Sequence, residues 1–416
     1  MKKVLVLGVG AQGSTVAQRL DEEPDVDEII CADYDEAAVN GLVKILKKAR
    51  GVKVDGSKTN EIVSAASGAD LLVNALPLDF GKFALDAALE VKTNYQDFAA
   101  CMGIVQTGDP YSDWLAGIEI MYRDYGKRFA DIGKTAIIGT GSAPGLICVV
   151  ARRAVRELDS CDTINMLVYE GVEAKRFMPF WWSPVTALSD MQEPAVAFEG
   201  GKIIKTEPFS MPVRRRFPEL GGFEAEMIEH AHDEPVYVGA NSEKLFKGVK
   251  NAYFKYGGVG VSFARPLYRA GLLSKTEETI KGRKVVPFDV ILAHTPHAPK
   301  SYDEIKEILD EGLESDFGAF VVEAYGMKNG KETMVDIHVF APTLVDSFAR
   351  SGLTAEMYLT GQGGFLFTKM FINDKYTQKG LISSDMLTEE QVDYYLDCAA
   401  KLDINLEIEI KACPKI

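Results

Sequence analysis

"KVLVLGVGAQGSTVAQRL", residues 3–20, decides the fold. "VLVLG" at 4–8 is an unbroken run of branched and leucine side chains, as a parallel strand buried on both faces requires. Gly8, Gly10 and Gly13 then give G-x-G-x-x-G, and Val16 and Leu20, four apart, start a helical pattern. Gly8 permits the tight turn, Gly10 lets the backbone approach a pyrophosphate, and Gly13 lets the helix pack closely on the strand. Ala11 and Gln12 complete the loop at the helix N-terminus, whose N–H groups and dipole favour phosphate. "VDEIICADYD", 26–35, reads as a second strand ending in Asp33 and Tyr34. Asp33 follows the last glycine by about 20 residues, where a carboxylate binds adenosine ribose hydroxyls. No arginine follows it to hold a 2′-phosphate, so the reading is NAD in preference to NADP. A glycine turn in a cofactor-free α/β fold is the other reading of the same residues.

Working outward, "EAAVNGLVKILKKA" (36–49) predicts an amphipathic helix, "GADLLVNALP" (68–77) a buried strand and "FGKFALDAALE" (80–90) a helix. "KTNYQDFA" (92–99) predicts a strand, 112–131 a long helix, and "TAIIG" (135–139) a further strand. Strands alternating with helices mean a doubly wound parallel sheet, a Rossmann arrangement in the α/β class. Ligands of such sheets sit at the carboxyl ends of strands. That places Ala75–Leu76–Pro77, Asp97–Phe98 and the second glycine loop, with Gly141 and Ala143, around a nicotinamide. The second loop closes the sheet and carries the chain into a new domain.

The 416 residues suggest two domains of common size. A formal charge of −15 argues against nucleic acid, whose binding rests on neutralising phosphates. Six scattered cysteines without a C-x-x-C pair (Cys31, Cys101, Cys148, Cys161, Cys398, Cys413) read as thiols in a reducing compartment. No metal site is expected, and the histidines of "EHAHDE" (229–234) and "AHTPHAP" (293–299) read as surface-loop residues. No signal-peptide pattern and no apolar run of about 20 residues is present, so a cytoplasmic protein without a membrane segment is expected.

After "APGLICVVARRAVREL" (143–158) strand-like runs recur with Gly-Gly and Asn-Gly turns between several of them, pointing to a mainly antiparallel sheet with added helices. Across most of its length the chain resembles the saccharopine dehydrogenase family. The resemblance is carried by "GVGAQGS", "DLLVNALP", "NYQDFA", "GTGSAPGL", "WWSPVTALSDMQEPAVAFEGGK", "KYGGVGVSFARPLYRAGLL" and "GLTAEMYLTGQGGFLFTKM…KGLISSDML". It implies a Rossmann domain over 1–145, with helices near 352–383 returning to it. It also implies an α+β domain over 146–351 plus 384–416 for substrate binding and homodimerisation. The implied chemistry is oxidation, or the reverse reduction, of a C–N bond in an amino acid or opine-like secondary amine. Saccharopine-forming members tend to carry an aspartate where this chain has Ala143, and lysine-dehydrogenase-like members look more similar there. A carboxynorspermidine-type polyamine enzyme and a catalytically silent NAD sensor are the alternatives.

Such a reaction needs a base with a pKa near the working pH. Asp97 is the first candidate, with a loop-capping aspartate as its other reading; His232 is a second. Lys255 and Tyr256 lie in the segment resembling the family's substrate-binding strand, where they would hold a carboxylate or polarise the amine. A zwitterionic substrate also needs a cation, and of Arg214–Arg216 one, Arg215, is expected to reach the pocket. Phe98, Ala143 and Trp182 are expected to line it, Trp181 and Trp182 also reading as core.

Overall fold

Val4 to Leu7 have no exposed surface, as their apolar run demands of a strand covered on both faces. Lys2–Leu7 pairs in parallel with Val26–Asp33 on one side and Leu71–Asn74 on the other. The sheet runs, in order, Gly380–Ser383, Thr135–Ile138, Asn94–Asp97, Leu71–Asn74, Lys2–Leu7, Val26–Asp33 and Ala49–Lys53. All its pairings are parallel, and the order reverses at Lys2–Leu7 as in a dinucleotide-binding sheet.

The computed structural model describes residues 1–100 and 102–413, so Cys101 lies outside the described residues. The chain forms two units, Met1–Val149 with Leu359–Leu402, and Val150–Tyr358 with Asp403–Ile416. Residues 384–402, expected in the second domain, thus belong with the first. The cause is local: Gly380–Ser383 completes the parallel sheet, and the helix Glu389–Ala400 follows directly, Tyr395 packing on Phe367.

Two element expectations need correction. The helix expected over 36–49 ends at Val43, and Ala49–Lys53 is an edge strand, too exposed and polar to announce itself by an apolar run. The helical stretch of 112–131 spans Pro110–Asp131 but widens into a π turn at Met121–Tyr125.

In the second unit Ser160–Glu170 pairs in parallel with Asn251–Gly258 and antiparallel with Gly318–Lys328, within a mixed nine-stranded sheet. The other pairings of that sheet are antiparallel. Two of its hairpins turn at Gly200–Gly201 and Asn329–Gly330, all four residues at positive φ as such turns require. Leu167, Phe217, Met227 and Val321 form a core on one face. Cys31, Cys148, Cys161 and Cys398 are buried and Cys413 is partly exposed. Among the described residues no helix is long and apolar enough to cross a membrane.

Candidate active site

The first unit builds a phosphate cradle at the reversal of its strand order. Gly8 has φ +89°, and a Cβ there would meet the Ala75 carbonyl carbon and oxygen at 2.8 Å. A Cβ on Gly13 would stand 1.8 Å from the Gly8 oxygen, so both glycines are fixed by packing. At Gly10 a Cβ would meet nothing within 4 Å: the space beside it is open. Gly10 caps the helix Ala11–Glu22 with no side-chain hydrogen bond, and the first turn holds no acidic residue to compete with an anion. Gln12 Oε1 is buried without a hydrogen-bond partner. Asp33 is held by the backbone, Oδ2 accepting from the Val9 N–H at 2.9 Å and Oδ1 from the Asp35 N–H at 3.0 Å. Tyr34 beside it is 73 % exposed. An open glycine, an uncapped helix start and a fixed carboxylate fit a nicotinamide dinucleotide.

At neighbouring strand ends Asp97 is buried. Tyr95 donates its hydroxyl to Asp97 Oδ2, and Asn74 donates its amide to the same atom at 2.9 Å. Burial raises the carboxyl to about 6, while hydrogen bonds from Tyr95, Asn74 and the N–H groups of Ala99 and Phe98 work against that rise. Asn74 Oδ1 also accepts from the Leu76 N–H at 3.3 Å, so Asn74 ties the Ala75–Pro77 loop to Asp97. Gly141 is packed, not open: a Cβ would meet Thr360 at 3.2 Å and the Pro144 oxygen at 3.3 Å. The Phe98 ring lies where side chains on Gly364 or Gly141 would stand, and Ala143 joins Pro144 through a cis peptide.

The second unit gathers some of the expected residues and separates others. Glu170, at the end of its strand, accepts from the Tyr256 hydroxyl and from the Trp182 indole N–H at 3.2 Å. Lys255 does not join them. Adjacent strand residues point to opposite faces, so Lys255 turns away and pairs with buried Glu229, also donating to the Met211 carbonyl at 3.1 Å. The same alternation leaves Arg214 exposed while the Arg215 side chain is only 10 % exposed. Arg215 serves the chain's own carboxylates, Glu323 at 2.8 Å and Asp336 at 3.3 Å, so the expected grip on a substrate carboxylate is already occupied. Trp181 is core, its indole donating to the Val172 carbonyl at 2.9 Å.

His232 and His230 are not the surface-loop residues expected. His232 stacks on Phe254, ring centroids 4.0 Å apart, and its Nδ1 lies 2.9 Å from Glu234. Burial opposes its charge, but the carboxylates of Glu234, Asp190 and Asp233 raise its pKa overall. Asp190, chiefly through burial, is pushed up to about 7. His230 is 1 % exposed, and burial followed by the neighbouring His232 holds it well below the ordinary imidazole value. Sequence reasoning missed Glu170, Asp190 and Glu356. Only Glu170 carried a signal, an acid closing the apolar strand "INMLVYE" before a glycine.

Residues 4–137 match the family model described as the saccharopine dehydrogenase NADP binding domain. The chain is 25 % identical over 411 residues to the carboxynorspermidine synthase of Vibrio alginolyticus, covering 92 % of each. It is 23 % identical over 392 residues to the carboxyaminopropylagmatine dehydrogenase of a Synechocystis species, again covering 92 % of each. Among solved structures it resembles apo saccharopine dehydrogenase (L-Glu forming) from Saccharomyces cerevisiae, with a TM-score of 0.69 and 14 % identity over 99 % of this chain and 100 % of that one. The homospermidine synthase of Legionella pneumophila, solved in complex with NAD, gives a TM-score of 0.65 and 12 % identity over 99 % and 91 %. At these identities the solved structures establish the fold. The resemblance to the saccharopine dehydrogenase family read from the sequence is borne out, and the first unit is of the NAD(P)-binding type.

Proposed function

We propose that the protein is an NAD-dependent oxidoreductase acting on the C–N bond of an amino-acid-derived or opine-like secondary amine. The observation that carries this is the cradle around Gly10, open where a pyrophosphate approaches and flanked by the fixed carboxylate of Asp33. The names of the two curated relatives, each matching over 92 % of both chains, favour a polyamine-type amine over saccharopine or lysine.

The dinucleotide supplies the hydride acceptor, or in reverse the donor, for the carbon bearing nitrogen. The chain's own residues handle phosphate, ribose and protons. N–H groups at the start of the helix Ala11–Glu22 receive the phosphates, and Asp33 receives the ribose hydroxyls while repelling a 2′-phosphate. Asp97, at about 6, has the affinity of a base working near neutral pH, and Tyr95 and Asn74 fix its orientation. It takes the amine proton as the C–N bond is oxidised to an imine. On the resemblance we also assign the protein a homodimeric state, which sedimentation tests, and a cytoplasmic location.

Recombinant protein with NAD should give reduced dinucleotide with at least one of carboxynorspermidine, saccharopine and lysine. In reverse, it should consume reduced dinucleotide with an amino-acid semialdehyde and a diamine. Dinucleotide binding without turnover in either direction across this panel would leave the silent sensor as the reading.

A further inference from the structure

Within the second unit two carboxylic acids, Glu170 and Glu356, act on each other electrostatically. Glu170 accepts from Tyr256 and Trp182, which together use one of its oxygens, Oε2. Glu356, in the first turn of the helix Ala355–Ile372, has its Oε2 buried with no hydrogen-bond partner. The charge of Glu170 bears on Glu356, and burial raises both carboxyls above their ordinary range. Among the described residues no lysine or arginine is ion-paired with either, although the buried acids Glu229 and Glu323 each have one. Beside Tyr256, at 5.0 Å between ring centroids, lies His230, and neither of its ring nitrogens has a hydrogen-bond partner.

Buried carboxylates are ordinarily paired, and leaving one alone costs several kcal/mol. Two acceptors here are unspent: one oxygen of Glu356 and, in a neutral imidazole, one ring nitrogen of His230. We propose that Glu170 and Glu356 form the binding site for a primary ammonium group of the amine substrate, with Trp182 and Tyr256 as its aromatic wall and His230 as a neutral acceptor next to it. An ammonium carries three donors and one positive charge, matching what this place lacks. The inference rests on the proposed function only in making the ammonium part of the substrate, and it names the substrate class as a diamine or aminoalkyl compound.

The test is calorimetric titration of the full chain with 1,3-diaminopropane, with and without saturating NAD, and with 1,3-propanediol as the uncharged analogue. Saturable diamine binding is expected, at least tenfold weaker in Glu356→Gln and Glu170→Gln, with no binding of the diol. A circular dichroism spectrum and an unfolding midpoint matching the parent will show that each variant is folded, and Glu356→Gln carries the test if Glu170→Gln fails to fold. Diamine binding by Glu356→Gln equal to the parent, or no preference of the parent for diamine over diol, would overturn the site. Turnover of an amine substrate with NAD in that event would leave the proposed function standing. Loss of NAD binding by the parent would instead fail the function reading and not this site.

Discussion

Asp33 presents a carboxylate whose two oxygens are each held by a backbone N–H, so it cannot swing aside for a phosphate. NAD should therefore bind at least tenfold more tightly than NADP, a difference of ~1.4 kcal/mol, and Asp33→Ala should narrow the gap. Calorimetry with both dinucleotides decides it; equal affinities in the parent would remove the NAD assignment. Asp97 makes a different demand. If it is the base, Asp97→Asn should lower turnover by ~10²–10⁴-fold and erase the limb of the pH–rate profile that rises near 6. Turnover within threefold of the parent, with the limb intact, would make Asp97 a cap for the two loops it joins. Its stability signature has a defined sign. A carboxyl raised from 3.8 to about 6 stabilises the fold fully only below pH 3.8 and loses that contribution as pH rises through 6. Relative to the parent, Asp97→Asn should gain stability between about pH 4 and 6 and level off above, by up to ~3 kcal/mol. Urea unfolding at stepped pH measures this.

At the scale of elements the glycine loop separates two jobs that its motif merges. Gly13→Val drives a side chain into the Gly8 backbone and should lower the melting temperature with or without ligand. Gly10→Val adds its side chain to open space, so the fold should survive while NAD affinity falls more than tenfold. Melting curves and NAD titrations of the two variants should thus diverge. Paired strands impose similar rules in the second unit. Arg215→Ala leaves Glu323 and Asp336 without their shared guanidinium, an expected loss of about 3–5 kcal/mol, and Arg215→Met should lose less. These roles mark how far the sequence could be read. The buried parallel strands and the glycine spacing were legible because burial on both faces forces an apolar run and a pyrophosphate forces glycine. Ala49–Lys53 was not, since an edge strand needs neither. Tyr256 and Lys255 were read as one group because adjacency in sequence hides the alternation that sends them to opposite faces. Glu170 and Glu356 escaped notice because they belong to segments distant in the chain, and no local pattern links the two.

On the scale of the whole molecule, each unit is assembled from segments far apart in the chain. A polypeptide ending at Val149 lacks Gly380–Ser383, the neighbour that Thr135–Ile138 needs. Such a fragment should show weak amide protection over 135–138 and no measurable NAD affinity, whereas the full chain protects both strands; hydrogen exchange checks this. In the full chain, NAD at a hundred times its Kd should add ~2.7 kcal/mol to the stability of the first unit, visible as a shift in its unfolding midpoint. The same discontinuity bears on birth at the ribosome. With emergence at ~5–20 residues per second, Thr135–Ile138 waits roughly 10–50 s for its partner strand while the intervening segment is still being made. During that interval a row of unpaired peptide groups is open to any passing strand. Nascent copies spaced along one message are then each other's nearest hazard.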